Sequence, residues 1–468
     1  MSSKTFLTLF ALLAATGSSA PALEPSEAGR PARPNIVFIL ADDLGYGDVG
    51  CYGQTKIKTP SIDKLAAEGM KLLQHCSGSP VCAPSRCTLL TGKHTGHAYI
   101  RDNGELETEG QRPLPPGTQT IGTLLRKAGY ATAAAGKWGL GGPGSTGEPS
   151  LQGFDHFYGY LCQRHAHTYY PDYLWRDGKK EILEGNKDGK QGQYSHDLIA
   201  EEALKFIKEH KDRPFFLYVP FTIPHVSLQV PEDSVAEYRE KWPETPFKGN
   251  HYAAHPTPRA AYAAMITRMD RDVGRILSLL KDLGLDESTI VFFTSDNGPT
   301  YAGGADATFF QSAGPLRGLK GSVHEGGIHV PFIARWPGRI PAGSTTSHVS
   351  AFWDVLPTLC EIAGAQILEP IDGISFLPTL LGKGGQKEHA HLYWEYPSAG
   401  GLQAVRMGNW KGVRLNVKKK ADGPIQLYDL AGDPGETLDV AAAHPEVVEQ
   451  MRKIMAERTP SVFPEWNY

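Results

Sequence analysis

Asn35-Ile36-Val37-Phe38-Ile39-Leu40 is a short, continuous apolar run, and Asp42-Asp43 stand just past its end. A run apolar at every position, rather than at alternate ones, marks a strand buried on both faces of a parallel sheet. Carboxylates at the carboxyl end of such a strand stand where open α/β sheets bind ligands. Outward from this strand the arrangement repeats. Residues 130–135 read as a strand that leads into Gly136-Lys137-Trp138-Gly139. Residues 215–221 lead into Pro224-His225, and 289–294 into Ser295-Asp296-Asn297-Gly298. Between them lie helical stretches at 195–210 and 260–283, the second stopped by Gly284. Another spans 120–128 before Gly129, and Thr59-Pro60 opens one that stops near Gly69. Helices alternating with buried strands predict an α/β fold with a large, mostly parallel sheet. Polar clusters far apart in sequence then meet along one sheet edge.

After residue 365 the pattern changes. Residues 392–395, 402–407, 410–414 and 425–428 read as short strands, with Gly408-Asn409 as a two-residue hairpin turn and 445–458 as a final helix. The expected organisation is an α/β catalytic domain over 34–365 and a smaller antiparallel subdomain with a helix over 366–468. Residues 1–22 read as a secretory leader: Lys4, an apolar run over 6–15, and a small-residue cleavage site near Ala20–Ala22. That run is too short to span a bilayer. Residues 23–33 are then a linker, and the mature protein is expected in the periplasm or secreted, with no stable membrane span. The net charge of −4 carries no basic excess, which argues against a nucleic-acid partner. Six cysteines in 468 residues, none in Cys-x-x-Cys spacing, are too few for a disulfide scaffold or a zinc ribbon.

One of these cysteines opens Cys82-Ala83-Pro84-Ser85-Arg86-Cys87-Thr88-Leu89-Leu90-Thr91-Gly92. Pro84 suits the first turn of a helix and Gly92 its end. Cys82 is thereby placed at a helix N-terminus, near free N–H groups and Arg86, in a pocket suited to an anion and to a polarised, reactive thiol. Cys-x-Pro-Ser-Arg followed by Thr-Leu-Leu-Thr-Gly resembles the signature of the type I sulfatases, a formylglycine-dependent family of the alkaline-phosphatase-type superfamily. The resemblance runs over about residues 34–440, including Asp372-Gly373-Ile374-Ser375 and Leu427-Tyr428-Asp429-Leu430. By look, the near relatives are exported bacterial sulfatases, often called arylsulfatases.

The residues and the resemblance point to the same chemistry. Asp42, Asp43, Asp296 and Asn297 supply only oxygen ligands, the set a hard cation wants, with Ca²⁺ ahead of Mg²⁺ because it tolerates irregular carboxylate geometry. The resemblance implies these four as Ca²⁺ ligands, Cys82 as the precursor of a formylglycine nucleophile made by a separate maturation enzyme, and Lys137 and Lys320 as sulfate-binding lysines. It implies Asp296 as base, His225 as acid for the leaving oxygen, and Arg86 as the clamp on nucleophile and carboxylates. The expected reaction is hydrolysis of a sulfate monoester in a sulfated glycan or aryl sulfate. The chain departs from the family at Gly139, where Gly-Lys-Trp-His is usual and the histidine helps release sulfate. His165, His167 and His324 are the candidates to replace it or to bind substrate. The competing readings are a phosphodiesterase or phosphonate monoester hydrolase on the same fold, and a non-catalytic glycan-binding homologue.

Overall fold

In the computed structural model, which describes residues 1–2, 33–106 and 109–468, the apolar run at Asn35 becomes the strand at the heart of a ten-stranded sheet. Its strands are β1 (Asn35–Asp42), β2 (Met70–Leu72), β3 (Ala131–Lys137), β4 (His156–Tyr160), β5 (Tyr173–Arg176), β6 (Lys179–Ile182), β7 (Phe215–Pro224), β8 (Thr289–Ser295), β9 (Phe332–Arg335) and β10 (Ser344–Thr346). They lie in the order β10-β2-β9-β8-β1-β7-β3-β4-β5-β6. From β8 through β4 every pairing is parallel. Strands β9, β5 and β6 join their inner neighbours antiparallel. The region read as a leader lies outside the described residues apart from Met1 and Ser2, and of the linker only Arg33 is described.

The side chains of β1 show why the run does not alternate. Val37, Ile39 and Ala41 enter one core, and Ile36, Phe38 and Leu40 enter another on the opposite face. The first core is closed by helices α1 (Pro60–Ala67), α4 (Ser195–Glu209) and α5 (Pro258–Asp282). The second is closed by α2 (Cys82–Thr91), α3 (Ile121–Lys127) and α6 (Val355–Ala363). Each fully buried side chain of this size contributes about 1.5–3 kcal/mol. A polar residue inside β1 would forfeit that and desolvate a group with no partner.

The C-terminal strands β11 (Leu392–Tyr396), β12 (Leu402–Met407), β13 (Trp410–Leu415) and β14 (Ile425–Asp429) form a separate antiparallel sheet. Met407 pairs with Trp410 across the Gly408-Asn409 turn. Trp394, Ala404 and Val413 pack toward Trp353 and Ile328, while Val405 and Leu427 pack on Met451 and Met455 of α7 (Pro445–Ala456). Arg33–Tyr468 forms one compact unit. Among the described residues no helix is long and apolar enough to cross a membrane.

Candidate active site

Four neighbouring parallel strands, β8, β1, β7 and β3, end at one edge of the sheet, and each delivers a polar group there. Asp42 is the last residue of β1 and Lys137 the last of β3. His225 follows Pro224, the last residue of β7, and Asp296-Asn297 follow β8. The strand over 130–135 runs two residues further than expected, so Lys137 is itself held by sheet pairing to Tyr160. Asp43 has a left-handed backbone, φ 65°, which turns the chain sharply off the strand end.

Helix α2 enters this edge from the side. Cys82 is its first residue, Pro84 lies in its first turn, and Gly92 (φ 70°) closes it by donating to the Thr88 carbonyl at 3.0 Å. The Cys82 thiol is buried, with Sγ 3.4 Å from Asp42 Oδ1, 3.4 Å from Lys320 Nζ and 3.8 Å from Lys137 Nζ. The expectation of a polarised thiol is corrected here. Burial and then Asp42 push the thiol up, and Lys137 and Lys320 do not offset them. As an unmodified thiol, residue 82 is a weak nucleophile at neutral pH. All six cysteines are free.

Asp42, Asp43, Asp296 and Asn297 are fully buried within one network. Asp43 N–H donates to Asp296 Oδ1 at 3.1 Å, and Asn297 Nδ2 donates to Asp43 Oδ1 at 2.7 Å. Arg86 binds Asp296 Oδ2 through Nε (3.0 Å) and Nη2 (2.8 Å); Nη2 lies 3.2 Å from Asp42 Oδ2, and Nη1 donates to the Lys137 carbonyl. Lys137 Nζ lies 2.6 Å from Asp42 Oδ2 and Lys320 Nζ 2.7 Å from Asp43 Oδ1. Burial pushes the Asp42 carboxyl up, but Lys137, His225, Arg86 and Lys320 together hold it well below the usual carboxylate range. Asp296 is pushed up to about 6, by burial first and then by Asp42, against the pull of Arg86.

These residues fit a hard divalent cation. Three carboxylates facing three side-chain cations leave no positive excess for an incoming anion. The raised Asp296 and the unpartnered, buried Oδ1 of Asn297 both mark oxygen donors short of positive charge. The donor set is all oxygen, as Ca²⁺ or Mg²⁺ requires.

His225 donates from Nδ1 to the Val226 carbonyl, which leaves Nε2 facing the cluster, 3.8 Å from Asp43 Oδ2. Burial, Lys137 and Lys320 hold the imidazole well below its usual value. His167 stacks on His225, ring centroids 5.1 Å apart, and its Nδ1 lies 3.1 Å from His251 Nε2. Tyr252 packs against both outer rings. Of the three candidate histidines, His167 therefore joins the site. His165 lies 3.2 Å from Glu109 Oε1 against the Tyr173 ring, and His324 bonds Ser322 Oγ at 3.0 Å. Burial, Lys411 and Arg317 push His324 down to about 3. The sequence reading missed His251 and Tyr252, which sit in an irregular loop with no pattern to mark them. It also missed Gln163, whose amide fills the space beside Gly139: a Cβ built on Gly139 would lie 2.3 Å from Gln163 Nε2.

Comparison with known proteins bears on this geometry. A family model described as Sulfatase matches residues 34–365, and one described as N-sulphoglucosamine sulphohydrolase, C-terminal, matches 319–460. Arylsulfatase A of Homo sapiens is 33% identical, the match covering 90% of this chain and 87% of that one. N-acetylgalactosamine-6-sulfatase of Mus musculus is 34% identical, over 93% and 88%. Among solved structures, Ps i-CgsB is similar with a TM-score of 0.78 and 29% identity, over 92% of this chain and 94% of that one. A second crystal structure holds Ps i-CgsB in complex with k-i-k-neocarrahexaose.

Proposed function

Because the chain belongs to the sulfatase family, we propose that it is an exported sulfuric ester hydrolase that removes sulfate from a sulfated glycan, with residue 82 matured to formylglycine. The observation that carries the proposal is the focus of groups on Cys82: a buried Sγ within 4 Å of Asp42, Lys137 and Lys320. Sulfated-glycan substrates are supported by the names of similar proteins, N-acetylgalactosamine-6-sulfatase among them. The leader at 1–22 supports export, and conversion of Cys82 requires a maturation enzyme.

Formylglycine supplies a hydrated aldehyde, whose hydroxyl is a far better nucleophile here than the thiol. Asp42, Asp43, Asp296 and Asn297 would hold Ca²⁺, which would supply the positive charge that the buried set lacks. Lys137 and Lys320 each present an ammonium within reach of a group attached at residue 82, so each binds a sulfate oxygen and stabilises charge that grows during transfer. Arg86 is consumed by Asp42, Asp296 and the Lys137 carbonyl, so its work is to hold the carboxylates and the strand end in place. Asp296 would take the proton of an attacking hydroxyl and His225 Nε2 would protonate the departing alcohol oxygen; loss of inorganic sulfate and rehydration by one water would then restore the group at residue 82. Burial and then the two lysines hold the His225 imidazole low; an anionic ester would offset those lysines and raise its affinity for a proton. His167 is partly exposed and stacks on His225, which fixes the plane of the His225 ring.

The test is sulfate release by the matured, full-length chain from sulfated mono- and oligosaccharides and an aryl sulfate, beside phosphate release from an aryl phosphate. Faster turnover of sulfate esters is expected. Preference for phosphate esters would favour the phosphodiesterase reading, and no turnover by a converted protein the glycan-binding one.

A further inference from the structure

Lys320 lies between β8 and β9, on a turn outside both helix and strand. Its Nζ nevertheless reaches two groups of the site at once, Asp43 Oδ1 at 2.7 Å and Cys82 Sγ at 3.4 Å. A lysine stem is flexible, so this placement depends on where the backbone is held. Gly326 N–H donates to the Arg317 carbonyl at 2.7 Å and closes residues 317–326 into a ring that contains Lys320. The ring is tight: a Cβ on Gly326 would lie 2.2 Å from the Gly318 carbonyl oxygen. On the side of the active site, Lys320 N–H donates to the Pro299 carbonyl at 3.0 Å and Gly321 N–H to the Pro80 carbonyl at 2.9 Å. On the other side, both ends of the ring are anchored on the antiparallel subdomain. Arg317 Nη1 donates to the Tyr428 hydroxyl at 3.1 Å and to the Glu436 carbonyl at 2.7 Å. Glu325 N–H donates to Glu436 Oε2 at 2.6 Å, and Lys411 Nζ of β13 donates to Glu325 Oε1 at 2.6 Å.

Glu325, Lys411 and Glu436 are all buried. Burial raises the Glu325 carboxyl, but Lys411, the His329 hydrogen bond and Arg406 hold it well below its usual range, so its pair with Lys411 stays ionised. An apolar cluster of the same volume often holds two layers together as well or better; what a buried ion pair specifies is one arrangement. We propose that Lys411 and Arg317 are positioning residues of the sulfatase reaction: through Glu325 and Glu436 they fix the ring so that Lys320 Nζ stands beside residue 82. The antiparallel subdomain then belongs to the catalytic apparatus, although none of these four residues touches the reacting groups. The role rests on the sulfatase reading above, in which Lys320 binds a sulfate oxygen.

The experiment uses the matured full-length protein with Lys411→Met and Arg317→Met, each made in the parent and in a Lys320→Ala background. The readout is kcat/KM on an aryl sulfate per converted residue 82, counted by peptide mass. Misplacing a binding group by about 1 Å costs up to about 10²-fold. Lys411→Met is expected to lower kcat/KM by at least about tenfold in the parent. In the Lys320→Ala background it is expected to cost less than about twofold, because the group it positions is gone. Arg317 is exposed, so Arg317→Met leaves no buried charge and still answers the question where Lys411→Met does not fold. It is expected to lower kcat/KM by about threefold or more, again only while Lys320 is present. Equal fold losses in both backgrounds are the signature of general loosening and overturn the role. So do parent rates from the folded variants. A parent protein that releases no sulfate overturns the sulfatase reading and the role together; a parent that releases it, beside variants that lose as much without Lys320 as with it, overturns the role alone.

Discussion

Replacing Arg86 by leucine tests whether the buried charges form one unit. The guanidinium makes two bonds to Asp296 Oδ2 and approaches Asp42 Oδ2, all fully buried. Leucine removes the cation and leaves both carboxylates inside. Breaking a buried pair in this way costs about 3–5 kcal/mol. With an unfolding entropy of about 2 cal/mol/K per residue, a chain of this length loses about 4 °C of Tm for that change. The pH dependence sharpens the test. Asp296 is already raised to about 6, and Arg86 is among the groups holding it down, so the variant raises it further. A carboxyl whose folded value lies above its unfolded value penalises the fold when ionised; that penalty is absent below about pH 4 and complete above the folded value. Thermal unfolding of the chelator-treated, metal-free protein, followed by circular dichroism at about pH 5 and about pH 8, should therefore show the larger loss at the higher pH. A drop under about 1 °C at the higher pH, or equal drops at both, refutes the argument.

Lys137→Ala and Lys320→Ala should each lower kcat/KM on an aryl sulfate by about 10²–10³, measured by steady-state kinetics. Chelation of divalent metal should abolish activity and lower Tm, and Ca²⁺ should restore both, because Asp42, Asp43 and Asp296 are otherwise mutually repelling. Asp48, fully buried, is pushed up to about 6 by burial, while hydrogen bonds donated to Oδ2 by the Tyr262 hydroxyl and the Gly45 N–H pull it down. Folded Asp48 keeps its proton longer than unfolded Asp48, so stability falls as pH rises from about 4 to about 6, by about 3 kcal/mol. Asp48→Asn should flatten that stretch of the denaturation-midpoint curve.

The central sheet was legible because its strands are continuous apolar runs that end in charged residues. Asp42, Lys137, His225 and Asp296 all sit at strand ends, and that placement follows from the runs alone. The outer strands were not legible. Lys179–Ile182 is mostly exposed and polar, and Met70–Leu72 and Ser344–Thr346 are too short to carry a period. The state of the thiol was also beyond the sequence: a helix N-terminus and two lysines suggest activation, and only the depth of burial beside Asp42 reverses it. Gln163 had no signal of its own. What the sequence offered was the small residue at 139, and only coordinates show which side chain moves into the space.

The most direct test is the mass of the peptide that contains residue 82, taken from protein whose sulfate release has been measured on the same sample. Conversion of the cysteine to the aldehyde, in proportion to activity across preparations, is the result expected. Full activity from protein that carries an intact thiol at residue 82 would contradict the account.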